Sequence, residues 1–307
     1  MRLAALLLCS SLSLPAGTCY LTVSGLGGEP DYEQRFVSLA KTVDKILRES
    51  SGEARVETLY GPAATRERVR AALEAFSRDC RPDDALVVML IGHGTFDGAD
   101  YKFNLPGPDL SAIELAGLLD RVPVSRQLVV NMTSASGGAL DTLGKENRVV
   151  ITATKSGTEK NATVFARYWV EALRDAAADT DKNESVSALE AFRYADSKTV
   201  EFYDSQKRLA TEHAMLDDTG ARQGVRAPST ENGQGRLAGA FTLVRFGSAQ
   251  AAAGSPEKRE LLAKREEIER QIDLLKYRKA AMPSDDYRKQ LGALLLDLAR
   301  TQEEIDR

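Results

Sequence analysis

This sequence predicts an α/β fold: a mostly parallel six-stranded sheet covered by helices on both faces, followed by a C-terminal α-helical hairpin. Three observations carry that expectation. From Tyr20 onward, short β-branched apolar runs alternate with helix-length amphipathic stretches. Two of those runs end in reactive residues about forty positions apart: residues 85–91 lead into Gly92-His93-Gly94, and residues 127–132 into Thr133-Ser134-Ala135-Ser136-Gly137-Gly138. Beyond Gly254 the composition turns to Glu, Lys, Arg and Leu.

The elements follow in order. Residues 1–18 read as a secretory signal, because Arg2 precedes an apolar stretch from Leu3 to Leu14 that is too short to span a bilayer. Residues 21–24 are a first strand, and Gly25-Leu26-Gly27-Gly28 is a tight turn rather than a phosphate loop, since the last glycine of G-x-G-x-x-G is missing. A helix over 32–48, a strand over 56–60 and a helix over 68–76 follow. The third strand, 85–91, is apolar throughout, as a strand buried on both faces must be. A helix over 113–119 separates it from the fourth strand, 127–132. Residues 149–153 form a fifth strand, 164–173 a helix, and 240–244 close the sheet as the sixth strand. Repeated βα units of this length imply parallel pairing with crossovers of one hand. In such sheets ligands bind beyond the carboxyl ends of the strands, where both reactive segments fall.

The 307 residues are 43% hydrophobic and 28% charged, with a net charge of −4, which excludes a strongly basic nucleic-acid binder. No other stretch is long and apolar enough to cross a membrane. The mature protein is therefore expected outside the cytoplasm, secreted or periplasmic. Cys19 and Cys80 are the cysteines left after signal removal, in a compartment that permits disulfides; the sequence leaves open whether they pair.

From about Tyr20 to Phe246 the chain resembles the caspase-like fold of cysteine peptidases, and most of all its legumain branch, which also includes the GPI-anchor transamidase. The resemblance rests on His93-Gly94 ending the third strand, on Thr133-Ser134-Ala135-Ser136-Gly137 ending the fourth, and on Ala153-Thr154 after the fifth. It implies a caspase-like three-layer sandwich over residues 19–247, with His93 as the base. The family's nucleophile is a cysteine in Ala-Cys-x-Ser-Gly, and Ser134 stands in its place. The asparagine that legumains carry after the first strand, to orient the imidazole, is matched by Gly27.

That substitution divides the functional readings. A thiol near pKa 8.5 ionises readily beside an imidazole, whereas a hydroxyl needs a base that takes its proton during attack. One reading is a serine-type peptidase or transpeptidase, with Ser134 attacking, His93 moving the proton, and the N–H groups of Gly94 and Ser134 holding the oxyanion. A second is a pseudopeptidase that keeps the groove and binds peptide or protein segments without cutting. In a third, both side chains merely satisfy turns, and the protein acts through its C-terminal helices.

Residues 179–190 place oxygen ligands Asp179, Asp181, Asn183 and Ser187 at loop positions 1, 3, 5 and 9, with Glu190 at position 12. This is the spacing of a helix-flanked calcium loop. Glu184 stands where that loop wants glycine, and Ser187 with Glu190 also reads as a helix capping box. No cofactor is required by either peptidase reading, and Ca2+ is the one candidate ion. His213, the second histidine, lies in a segment that in legumain-like chains lines the substrate region, and a structural role competes with a ligand role there. Asp217-Asp218-Thr219-Gly220 reads as a turn and 220–235 as a loop. Residues 248–255 read as a linker, and 256–307 as a helical hairpin or coiled coil. Its apolar stripes, Leu261, Ile268, Ile272 and Leu275 then Tyr287, Leu291, Leu294, Leu298 and Ile305, pack on each other or on a partner helix.

Overall fold

The computed structural model describes residues 17–50 and 54–307. The apolar run read as a secretory signal lies outside the described residues up to residue 16. Gly17 and Thr18, assigned to its end, belong to the sheet: the Gly17 N–H donates to Asp84 Oδ1 at 2.7 Å, and Thr18 opens the first strand.

In chain order the first half runs β1 (Thr18–Ser24), α1 (Pro30–Ser50), β2 (Arg55–Leu59), α2 (Arg66–Asp79), β3 (Ala85–Ile91), β4 (Gly94–Phe96), β5 (Tyr101–Phe103), β6 (Leu110–Ser111), α3 (Ala112–Leu119) and β7 (Arg126–Asn131). It continues α4 (Leu140–Leu143), β8 (Arg148–Thr152), α5 (Phe165–Ala172), β9 (Ser185–Ser187), α6 (Ala188–Ser205), β10 (Met215–Asp217), α7 (Arg236–Gly239), β11 (Thr242–Arg245) and α8 (Gly247–Gly254). The chain ends with α9 (Arg259–Arg278) and α10 (Ser284–Asp306). The main sheet has the order β10-β8-β7-β3-β1-β2, parallel except for β10. All seven residues of β3 are buried because β1 and β7 flank it and helices cover both faces.

The helices α1, α2 and α3 each bury one stripe. Phe36, Ala40, Val43 and Leu47 of α1 recur at helical spacing and meet Val87, Met89 and Ile91 together with α5 and α6. On the other face Val69, Leu73 and Phe76 of α2 and Leu115, Leu118 and Leu119 of α3 meet Leu86, Val88 and Leu90. The alternation of β3 side chains between two cores makes the three layers. A disulfide joins Cys19 in β1 to Cys80 at the end of α2, answering what the sequence left open.

The sixth strand is a correction. Residues 240–244 do not close the main sheet; β10 does, antiparallel to β8, while Thr242–Arg245 pairs with Ser185–Ser187 in a separate two-stranded sheet. Leu243 and Val244 still enter the core on the α1 side. β10 is only three residues long and ends in an acid, so periodicity does not reveal it. What fixes the return of the chain is the Asp217-Asp218 pair, whose carboxylates accept from the N–H groups of Thr219, Arg222, Gly235, Leu237 and Ala238. Asp217 is thus strand rather than turn.

The stretch read as a linker is helix α8. Its Ala249 and Ala252 pack with Leu262 and Ile305, so the C-terminal hairpin is docked rather than tethered. The stripe of α9 that faces the protein is Leu262, Arg265, Ile268, Ile272 and Leu275, with Leu262 in the buried place read for Leu261. Arg245 holds Glu266, and Tyr277 donates to the Gln234 carbonyl at 2.8 Å.

Candidate functional site

The carboxyl ends of β1, β3, β7 and β8 bring Gly27, His93, Ser134 and Thr154 to one edge. The second three-stranded sheet, β4-β5-β6, starts directly at Gly94 and folds over that edge. A Cβ at Gly94 would stand 2.5 Å from the Tyr101 ring and 2.6 Å from the Ser134 carbonyl oxygen, so only glycine fits between the two sheets. Beneath it, the Tyr101 hydroxyl lies 2.6 Å from Thr133 Oγ1, and both hydroxyls donate to Asn131 Oδ1 at 3.2 and 2.8 Å. Burial drives the Tyr101 phenol well above its usual range, keeping it neutral.

His93 is half-buried between two rings of α1. Tyr32 and Phe36, four residues apart and so on one helix face, meet the imidazole edge to face at centroid distances of 4.9 and 5.1 Å. Burial lowers the imidazole pKa below its ordinary 6.5; a hydrogen bond to the backbone of Gly27 and the charge of Glu29 oppose the shift without cancelling it. Gly27, the residue matched to the orienting asparagine, thus reaches His93 through its main chain. Its own N–H donates to Glu33 Oε2 at 2.8 Å, which fixes the turn.

Ser134 is 2% exposed. Its hydroxyl accepts from the Gly94 N–H and donates to the Gly94 carbonyl, both at 3.1 Å. The N–H read as an oxyanion donor is therefore engaged by Ser134 itself, and the hydroxyl proton points to a carbonyl rather than to the imidazole. The next residue, Ala135, has φ +55, a left-handed conformation that costs a side chain about 1 kcal/mol. It is held there by an Ala135 N–H bond to the Glu159 carbonyl at 2.8 Å. Ser136 accepts from the Thr154 N–H, Thr154 Oγ1 accepts from the Gly137 N–H, and Thr163 donates to the Met132 carbonyl. The loop after β8 thereby laces the turn that carries Ser134.

Glu159 extends this lacing to the second histidine. While its carbonyl holds Ala135, its carboxylate lies 2.5 Å from His213 Nδ1 and accepts from the His213 N–H. His213 is joined to the Ser134 turn through one residue and does not reach the candidate calcium ligands. Sequence reasoning missed Glu159, Tyr32 and Phe36. The i, i+4 aromatic pair just after the glycine turn was the available signal for the last two; nothing local marked Glu159.

The loop 179–190 forms its own cluster. Asp179, Asp181 and Glu190 bring carboxylate oxygens within 4.8 Å of one another. Asp179 accepts from the N–H groups of Asn183 and Glu184, while Glu190 accepts from Thr180 and completes the capping box with Ser187 at the start of α6. Asn183 turns its side chain to Ser185 and Glu269, and its carbonyl to Arg265. Glu184 adopts φ +61, the turn expected of glycine. Its carboxylate reaches Ser248 Oγ at 2.6 Å and the Ala249 N–H at 3.0 Å, capping α8.

No protein-family model matches this chain, and no curated protein matches it in sequence. Among solved structures it is similar to the Drosophila initiator caspase Dronc at 10% identity, over 68% of this chain and 82% of that one, with a TM-score of 0.43. Caspase-1 from Spodoptera frugiperda is 11% identical over 66% of this chain and 86% of its own, with a TM-score of 0.44. A protein from Geobacter sulfurreducens is 13% identical over 72% of this chain and 97% of its own, with a TM-score of 0.45. Likeness of this degree concerns overall outline, and the roles of individual residues rest on the side-chain geometry.

Proposed function

We propose that this protein is a legumain-like peptidase homologue that binds peptide or protein segments along the carboxyl edge of its sheet, outside the cytoplasm, without cleaving them. The observation that carries this reading is the state of the Ser134 hydroxyl. Its one O–H donates to the Gly94 carbonyl, and one of its two lone pairs accepts from the Gly94 N–H. Attack on a peptide would require the bond to the Gly94 carbonyl to break and the proton to move to His93, whose imidazole is held, among the described residues, by the Gly27 main chain rather than by a carboxylate or amide side chain. Losing that proton would also leave the Gly94 carbonyl without the donor it has now, at a cost of about 1–3 kcal/mol. Binding asks less. A neutral imidazole whose N–H is held by the Gly27 main chain still offers one acceptor to a peptide N–H.

The disulfide is compatible with an extracellular compartment, and among the described residues no helix is long and apolar enough to cross a membrane. For the loop 179–190 the same reading assigns Ca2+, supported by the clustering of Asp179, Asp181 and Glu190 and by the glycine-like turn at Glu184. Asn183, engaged by Ser185 and Glu269, and Ser187, engaged in the capping box, would have to release those partners to join the ligand set that the spacing specifies.

One experiment tests the whole: mass spectrometry of a mixed peptide library incubated with wild type, Ser134→Ala and Ser134→Cys, with calcium and with a chelator. Silence from wild type, cleavage by the cysteine variant, and peptide binding by Ser134→Ala within about twofold of wild type are the expected outcomes. Cleavage by wild type that disappears in Ser134→Ala would replace this reading with a serine-type peptidase using His93 as base. An unchanged thermal midpoint on chelation would remove the calcium assignment alone.

A further inference from the structure

We propose that the outer face of α10 is a self-complementary surface on which a second copy of this chain docks antiparallel, about a two-fold axis between Leu295 and Leu296. The inference stands apart from the peptide groove and does not depend on it.

At 100° per residue, Arg288, Gly292, Leu295, Leu296, Ala299 and Glu303 fall on one arc about 100° wide. Leu294, Leu298, Thr301 and Ile305, on the other side of the helix, face α9 and the body of the protein, and Thr301 and Ile305 are fully buried. Leu295 and Leu296 remain 49% and 52% exposed, on a helix whose neighbours are charged. Leu295 and Leu296 make an adjacent apolar pair on an otherwise polar face.

The arrangement of their flanks identifies the occupant. Arg288 precedes Leu295 by as many residues as Glu303 follows Leu296, and Gly292 and Ala299 are likewise equidistant from the leucine pair. In an antiparallel pair related by a two-fold axis, equidistant positions meet, and every contact occurs twice. Leu295 then packs on Leu296 of the copy. Gly292 meets Ala299, two small residues that let the helices approach closely, and Arg288 meets Glu303. Lys289 and Glu304 reinforce the same polarity. Farther out, at the helix ends, Asp285 meets Asp306, a like-charge contact that the neighbouring Arg307 offsets. A parallel pairing would instead set Arg288 on Arg288 and Glu303 on Glu303, which like-charge repulsion opposes.

The charged groups are free to change partners. Arg288 has Asp285 at 3.8 Å and Ser284 Oγ at 3.1 Å within its own helix turn, and Glu303 has Arg307, all strongly exposed pairs of small value. One helix from each copy buries less than the roughly 800 Å² per partner of a standard stable interface, so the dimer is expected to form with rising concentration rather than to be permanent.

Sedimentation equilibrium of the full mature chain tests the assignment, with circular dichroism confirming that each surface variant is folded. Wild type is expected to approach twice the monomer mass, and Leu295→Glu with Leu296→Glu to stay monomeric. Arg288→Glu alone and Glu303→Arg alone should each weaken association roughly tenfold, and the two reversals combined in one chain should restore it. A wild type that stays monomeric at every concentration, a dimer indifferent to the leucine pair, or a combined reversal that fails to rescue would each overturn the proposal.

Discussion

A serine hydroxyl and a cysteine thiol differ by one atom, yet at position 134 the difference reaches the backbone of the neighbouring strand. The hydroxyl is small and polar enough to bridge the N–H and carbonyl of Gly94, sealing the join between two sheets. A bulkier thiol hydrogen-bonds weakly and would leave that N–H open. His93 shows the opposite economy, being packed for desolvation rather than for pairing. Because burial lowers its pKa, the unfolded chain takes up a proton near 6.5 that the folded chain refuses. The stability linked to His93 is therefore fully present above 6.5 and falls as pH drops from there toward the lowered folded value. His93→Phe, which keeps a ring against Tyr32 and Phe36, should flatten this acid limb in urea unfolding followed across the window. An acid limb equally steep in wild type and variant would show that the imidazole is not the group being titrated.

At the scale of elements, Glu184 shows how two demands settle on one position. The calcium-loop spacing asks for glycine there, and α8 asks for an acceptor at its first turn; glutamate with φ +61 meets the second at a cost in the first. Glu184→Ala keeps the strained backbone and loses the cap, and should cost about 1–2 kcal/mol in chemical denaturation. Glu184→Gly loses the cap but relieves about 1 kcal/mol of left-handed strain, and should come out closer to wild type. Equal losses in the two variants would deny the backbone strain. This coupling was invisible in sequence, because residues 184 and 248 are far apart and α8 reads as a linker rich in Gly, Ala and Ser. The same contrast runs through the fold. Long buried strands such as residues 85–91 declare themselves by composition, and His93 and Ser134 by their place at strand ends. The three-residue strand at Met215 carries no period to read, and Glu159 acts partly through its carbonyl, which every residue has. Side-chain chemistry was legible; main-chain roles and nonlocal caps were not.

Across the whole molecule, one covalent tie joins the middle of the fold to its second helix. Cys19 lies in β1, next to the central strand β3, and Cys80 ends α2, at a sequence separation of 61. Both sulfurs are buried, and both residues pack in the core on the α2 and α3 face. In the chain-entropy account, a loop of that length restricts the unfolded ensemble by roughly 4 kcal/mol. For a domain of this size that is a large fraction of net stability, which rests on small differences between large opposing terms. Reduction should therefore lower the denaturant midpoint. It should also steepen the transition, because an unfolded chain freed of its loop exposes more surface to denaturant. Cys19→Ala with Cys80→Ala should unfold at one midpoint with or without reductant, separating loss of the tie from any other action of the reagent. If wild type is equally insensitive while free-thiol titration confirms reduction, the folded sheet alone sets stability and the tie contributes nothing to it. The hairpin gives an independent readout. It docks through Arg245, Arg265, Tyr277 and the α8 alanines, remote from either cysteine, so reduction below the unfolding range should leave the mass of any α10-paired species unchanged.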